Sequence, residues 1–397
     1  METALQALRS WFSNSGEVVV GELHGDCLRI TRLAVGDEGR AVIKAAVSFT
    51  GPLDFALAQK QFQKIRGGKK KKFILTFGSS HATTLYTTLN LARENPSAVI
   101  DEAELDNLIS QAMWKFVDRE RPRIADKMAV SDLDVVLADV HVRGIRIDGY
   151  KVLNPIGFTA KNIGIAFRQT FLTRAASEFV RATFPGDRVE LIGEAGAIAA
   201  NVSAIHNDTD LMVARVARAT TELFVARGRG CSYWSTLAWG SENLVAYLAA
   251  EIGVSKTTAE AIMTRYFEGA TSSVFQKRLE HILNNELFLL MKKITAAAKR
   301  AKVSKAFIHA PEAFPVDLIQ GAPRGLPHCP DFQRFRDVLT QQERTDNLSP
   351  VEGRSTAAAA EMMPLYLREW QAAPVYEPLE RLVRRRVQWL MPIGTRE

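Results

Sequence analysis

Residues Leu211 to Gly230, LMVARVARATTELFVARGRG, decide the fold. Leu211, Met212 and Val213 lead into a tight turn and Leu223, Phe224 and Val225 lead out of it. The stretch therefore reads as two strands of a hairpin, closed at its far end near Gly228. The turn is read as Arg215-Val216-Ala217-Arg218-Ala219-Thr220-Thr221-Glu222, rich in charge and without a glycine.

Working outward, Val18 to Leu33 (VVVGELHGDCLRITRL) reads as another hairpin, turning at His24-Gly25-Asp26. A third strand, Ala41 to Phe49, follows the Gly36/Gly39 turn, and Pro52 to Ile65 is a helix that stops before Gly67-Gly68. Phe73 to Phe77 is a short apolar strand. Asp101 to Phe116 is an amphipathic helix with Leu105, Leu108, Ile109, Ala112 and Phe116 on one face and acid in its first turn. Strands are expected at Asp134 to Val142 and Gly144 to Tyr150, a helix at Arg168 to Thr183, a strand at Val189 to Ile192 and an alanine-rich helix at Ala195 to Ile205. Ser241 and Ser255 are placed to cap two further helices. A long helix spans Val274 to Arg300, and Ala306 to Ala310 is the last core strand. From about Gln341 the chain turns polar and alanine-rich and reads as linker.

Composition narrows the function classes. With 47% hydrophobic and 24% charged residues in 397, the chain is globular and long enough for two to four packed subdomains. No run approaches the roughly 18 apolar residues of a membrane-spanning helix. The start, METALQALRSWFSNSGE, lacks the pattern of a secretory leader. Cys27, Cys231 and Cys329 lie far apart without metal-ligand spacing, which fits a reducing compartment and a cytoplasmic location. The net charge of +7 is partly gathered at Lys69 to Lys72 and at Arg381 to Arg386. The lysine run has no interleaved aromatics and reads as a solvated loop, and no nucleic-acid motif is present, so no nucleic-acid partner is expected. His81, His141, His206 and His309 are separated and unpartnered by motif, and no metal set is expected; Cys231 beside Tyr233-Trp234 reads as packing.

Pro378 to Met391 fits helical spacing. Leu379, Leu382, Val383, Val387, Leu390 and Met391 form one apolar stripe, Arg381, Arg384 and Arg385 face away, and Trp389 sits at the edge. Such a helix lies in a lipid interface or docks on protein; its residues alone do not choose.

The order of these elements resembles FtsA-like bacterial division proteins of the actin-like superfamily. A small unit at 73–170 interrupts the first half where that family inserts its own domain. Asn154-Pro155-Ile156-Gly157 resembles the family's Asn-Pro-[Ile/Val]-Gly turn. Trp239-Gly240-Ser241-Glu242-Asn243-Leu244 followed by Ala259-Glu260 resembles its Gly-rich turn, helix and Ala-Glu pair, and the chain ends in a basic amphipathic segment after a linker. PilM-like pilus proteins share the fold and the inserted domain and are the second resemblance.

The resemblance implies an α/β, actin-like (ribonuclease H-like) two-lobed fold with an inserted α+β SHS2-type subdomain. Residues 1–72 and 171–205 form lobe 1, 73–170 the insert, 206–240 and 301–340 lobe 2, 241–300 its helical subdomain, 341–377 a linker and 378–391 the amphipathic helix. In actin-like ATPases, glycine-rich turns close backbone N–H groups round phosphate and a carboxylate holds the metal. Here Arg215 stands at the Asp position of the second turn, and Ala217, Arg218 and Ala219 stand at its glycines. In the first turn Glu22 stands for the Asp and His24 for the glycine that precedes Gly25; the third turn reads Pro311-Glu312-Ala313. A degenerate nucleotide site of Glu22, Gly25, Arg215, Arg218, Thr220 and Thr221 is expected, with no cofactor (ATP and Mg²⁺ included) and no catalytic group.

The implied function is a scaffold without ATPase activity that tethers the division ring at the inner face of the membrane. Its partners would be the C-terminal peptide of an FtsZ-type tubulin homologue, other copies of itself and an anionic membrane surface. Lys277, Arg278, Lys292 and Lys293 are the candidates to meet that peptide. Leu379, Leu382, Val383, Arg384, Arg385, Val387, Trp389 and Leu390 are the candidates to meet lipid. The alternatives are a PilM-like pilus or secretion-platform adaptor and a divergent actin-like ATPase.

Overall fold

The computed structural model describes residues 17–25, 27–35, 41–65, 71–184, 189–228, 230–267, 269–310, 314–315, 318, 331–334, 366–367 and 369. Its first sheet comprises β1 (Glu17–His24), β2 (Cys27–Val35), β3 (Ala41–Thr50), β4 (Lys71–Phe77) and, after an insertion, β9 (Val189–Glu194). Their order is β3-β2-β1-β4-β9. Alternation along β1 sends Val18, Val20 and Glu22 to one face and Val19 and Leu23 to the other. Helices α1 (Phe55–Ile65) and α3 (Arg174–Thr183) cover the second face with Ala58, Phe62, Ala176 and Phe179. Phe62, Phe73, Phe179 and Phe184 interlock there with ring centroids 4.7 to 6.4 Å apart. Each such fully buried ring contributes about 2–3 kcal/mol by area.

The second half repeats this plan. Strands β10 (Leu211–Val216), β11 (Thr221–Arg227) and β12 (Gly230–Leu237) form a meander, and β13 (Lys305–His309) and β14 (Asp331–Arg334) add in parallel on its other side. The order β12-β11-β10-β13-β14 copies β3-β2-β1-β4-β9 strand for strand, including the sense of every pairing. Between the two sheets lies α4 (Ala195–Asn207), whose alanines are small enough to sit against Val18, Val20 and Ile74 on one side and Leu211, Val213 and Phe224 on the other. Outside the second sheet, α5 (Ser241–Ile252), α6 (Lys256–Phe267) and α7 (Ser273–Ala301) bury Leu244, Leu248, Met263, Leu283, Leu290 and Ile294 against Met212, Ala214 and Ile308.

The insertion lies between β4 and α3. It comprises β5 (Ala82–Ala92), α2 (Glu102–Met128), β6 (Val135–Ile147), β7 (Tyr150–Val152) and β8 (Asn162–Thr173), with α2 across one face of the four strands. The two sheets of the second half and the insert are continuous, since Cys231 of β12 pairs with Tyr86 of β5.

Several expectations are corrected. A boundary at 73 cuts through β4, which pairs with β1 and β9 and so belongs to the first sheet. The helix expected from Arg168 begins only at Arg174, because Asn162–Thr173 is a strand threaded between β5 and β6. The two strands expected at 134–150 are one bulged strand, β6, followed by a short β7. Ser241 is the first residue of α5; the cap is Gly240, whose N–H donates to the Asn243 side chain at 2.9 Å. The stretch 341–377 is not linker throughout, since Tyr366, Leu367 and Glu369 are helical and buried. Pro311-Glu312-Ala313 and the whole amphipathic segment 378–391 lie outside the described residues.

Candidate functional site

The two hairpin turns face the space between the sheets, and each places a charged pair there. In the first, Glu22 of β1 stands opposite Arg29 of β2; in the second, Arg215 of β10 stands opposite Glu222 of β11. The duplicated hairpins thus carry the same pair with the charges exchanged. Strands run through Arg215, Val216, Thr221 and Glu222, so the second turn narrows to 217–220, with the Ala217 N–H donating to the Thr220 carbonyl at 2.8 Å.

Arg29 Nη1 donates to Glu22 Oε2 at 3.1 Å, and the Tyr366 hydroxyl donates to Glu22 Oε1 at 3.1 Å. Arg215 Nη1 donates to Glu222 Oε2 at 3.2 Å. The backbone N–H of Ser79, in the turn after β4, donates to Glu222 Oε1 at 3.3 Å, and its hydroxyl donates to the same oxygen. Glu222 therefore joins the second half to the first across the cleft. His24 and His309 complete the cluster; His24 Nε2 is 3.9 Å from Glu22, and His309 is aligned with Arg215 across β13 and β10.

Burial and charge set the protonation states. Burial would raise the Glu22 pKa, but the Arg29 charge, with help from His24 and Arg215, holds it at about 2. Burial acts the same way on Glu222 and is outweighed by Arg215 and the Ser79 bond, so its pKa is lowered. Burial and the Arg215 charge both lower the histidines, His309 to about 3. At neutral pH the cluster holds two carboxylates, two guanidiniums and two neutral imidazoles, with no net charge.

The other candidate residues separate. Arg218 points out of the cleft to Glu242 at 2.5 Å and Glu260 at 3.7 Å. Thr221 is buried and donates to the Trp239 carbonyl at 2.8 Å. Thr220 serves through its carbonyl, as above. Gly25 sits in the first turn, where its carbonyl accepts from the Leu53 N–H at 3.2 Å. The N-terminus of α5 is also engaged, because the Ser241 and Glu242 N–H groups donate to the carbonyls of Ala217 and Arg218 at 3.0 and 2.9 Å. Gly240 permits this approach, since a Cβ there would lie 2.3 Å from the Arg218 oxygen.

A nucleotide with Mg²⁺ asks for a carboxylate open to the metal's water and for backbone N–H groups open to phosphate. Here both carboxylates are held by arginines and the N–H groups named are satisfied, so the described residues as arranged do not fit that group. Among the described residues no set of His, Cys, Asp and Glu is grouped to hold a metal. Lys277, Arg278, Lys292 and Lys293 are all exposed on α7. The two pairs are 15 residues apart, about 22 Å along the helix, so they do not form one pocket.

Sequence reasoning missed Arg29, Glu222, Ser79 and Tyr366. A signal for the first two exists: in each hairpin an oppositely charged residue stands seven positions along, opposite its partner in register. It also missed a second buried network in which Arg168 bonds Asp139 at 2.8 Å and Glu369 at 3.1 Å, while Arg143 pairs with Glu369 at 3.1 Å. Cys231 is buried, its thiol donates to the Ala197 carbonyl at 3.3 Å, and burial pushes its pKa up.

No known family profile matches the sequence, and no curated protein matches it. Solved structures do. The chain is similar to a chain of the PilM–PilN type IV pilus biogenesis complex at 12% identity and TM-score 0.50, covering 89% of this chain and 98% of that one. It also aligns with ethanolamine utilization protein EutJ from Carboxydothermus hydrogenoformans (9% identity, TM-score 0.41, 92% and 98% covered). A diol dehydratase-reactivating factor aligns at 8% identity and TM-score 0.37, with 77% and 94% covered. Identities this low speak to fold alone. With the duplicated five-strand plan, the likeness to the PilM–PilN chain shows that this chain has the actin-like α/β fold.

Proposed function

We propose that this chain is an actin-like adaptor that does not hydrolyse ATP. The observation that supports this is the self-neutralised cluster of Glu22, Arg29, Arg215 and Glu222 in the cleft. Each carboxylate there is held by an arginine of its own hairpin, so a nucleotide would have to break both pairs. In the FtsA-like form, the adaptor tethers a division ring to the inner face of the membrane through 378–391, binds the C-terminal peptide of an FtsZ-type tubulin homologue and associates with its own copies. In the PilM-like form, it is a pilus or secretion-platform adaptor. The likeness to the PilM–PilN structure, at 12% identity, supports the fold that both forms share. No helix among the described residues is long and apolar enough to cross a membrane. Phosphate release from Mg–ATP tests the shared claim: a rate at the buffer blank is expected, and turnover abolished by Glu22→Gln would overturn it. Calorimetry with an FtsZ-type tail peptide separates the two forms, since binding is expected of the first only.

A further inference from the structure

The face of α7 that turns away from the core carries one sign of charge. Lys277, Arg278, Lys292, Lys293, Lys299 and Arg300 are all exposed on it. The two acids of the helix, Glu280 and Glu286, are both half-buried and engaged, by the Gln276 amide at 3.0 Å and by Trp239 Nε1 at 2.7 Å. None of the six cations forms an ion pair among the described residues. At 100° per residue the six fall within about half of the helix circumference, and they run about 34 Å from Lys277 to Arg300. Three large apolar side chains share that face: Val274 (81% exposed), Phe288 (39%) and Leu289 (47%). The last two lie in the gap between the two groups of cations.

We propose that this face of α7 rests on an anionic lipid bilayer, its cations against lipid phosphates and Phe288 and Leu289 in the interface. The inference rests on the membrane-adaptor reading above and adds a contact independent of 378–391. Charge complementarity calls for an anionic surface, and the aliphatic Leu289 beside Phe288 suits the boundary between headgroups and acyl chains. An acidic peptide must lie extended over about ten residues to span the row, whereas a planar surface meets the whole straight face at once. The membrane binding of an amphipathic segment strengthens with apolar area buried and with electrostatic attraction to anionic lipid, so a basic patch elsewhere on the chain adds to it. The face supplies that patch.

The test is co-sedimentation of the full chain with vesicles of phosphatidylcholine alone or with 30% phosphatidylserine, at low and moderate salt. Six proteins are compared: the parent, Lys292→Glu/Lys293→Glu and Phe288→Ser, each as the full chain and as a chain ending at 377, which retains every described residue. Each cation near the surface is worth about 1 kcal/mol, or roughly fivefold, so reversing two weakens binding at least about 25-fold. The expected result is binding to anionic vesicles only, weakened by salt, by the double reversal and by Phe288→Ser, and still weakened by them in the shortened chain. Binding that is lost on truncation but untouched by the α7 changes overturns this inference and leaves the tail as the tether. Absence of vesicle binding by the parent overturns both. Binding of a hexaglutamate peptide that depends on Lys292 and Lys293, with no α7 effect on vesicles, assigns the face to an acidic protein segment instead.

Discussion

Replacing Arg215 by methionine tests whether its pair with Glu222 holds the cleft. The side chain is 4% exposed and its partner 12%, so the charge left on Glu222 stays out of water. Removing one partner of a buried ion pair costs about 3–5 kcal/mol, because the survivor keeps its desolvation penalty without its counter-charge. Ser79 still donates to Glu222 through its N–H and hydroxyl, which places the expected loss at the lower end, about 3 kcal/mol. The double variant Arg215→Met/Glu222→Gln keeps an acceptor for Ser79 and removes both charges. It is expected to unfold within about 1 kcal/mol of the parent, so the two changes are strongly non-additive. Urea unfolding of the four full-length chains at pH 7 gives the cycle. A single-variant loss under about 1 kcal/mol, or a double variant that loses the sum of the singles, refutes the assignment.

Three further outcomes follow from the same geometry. The folded pKa of His309 (about 3) and that of Glu22 (about 2) both lie below their ordinary values of 6.5 and 4.5, so the unfolded chain binds more protons as pH falls. Stability present at pH 7 is therefore lost on acidification. The His309 contribution falls by about 2 kcal/mol between pH 7 and 5, Glu22 adds its loss below about 4.5, and His309→Gln flattens the upper part of the unfolding profile. Glu369→Gln leaves Arg143 and Arg168 beside a neutral amide and is expected to cost about 3 kcal/mol; if proteolysis near 366 proceeds as in a bare linker and stability is unchanged, the segment is not part of the core. Gly240→Ala forces a Cβ against the Arg218 carbonyl and is expected to cost at least about 2 kcal/mol, read by thermal melting, with no loss if the turn and α5 separate freely.

Much of the fold was legible because its strongest elements carry strong periodicity. The hairpin at 211–228, the hairpin at 17–35 and α7, expected at Val274 to Arg300 and found at Ser273–Ala301, all rest on regular apolar spacing. The insert was harder. In β8 the buried Arg168, Gln169 and Thr170 break the apolar alternation, and the helix α3 follows without a gap, so the two merge in a propensity reading. Helix α2 runs on to Met128 through DRERPRIADKM, where charge and Pro122 hide its continuation. Tyr366 and Glu369 read as linker because their burial depends on partners more than 150 residues away. At the site, the loss of glycine in the second turn was visible in the sequence. That the arginine there is answered by Glu222 needed the register.

The central claim is most directly tested by the melting temperature of the full chain with Mg–ATP. A ligand bound only by the folded state at 100 times its Kd would add about 2.7 kcal/mol. Between zero and 5 mM Mg–ATP, the self-paired cleft predicts an unchanged midpoint in both the parent and Glu22→Gln. A midpoint that climbs with nucleotide concentration in the parent, and less in that variant, would contradict it.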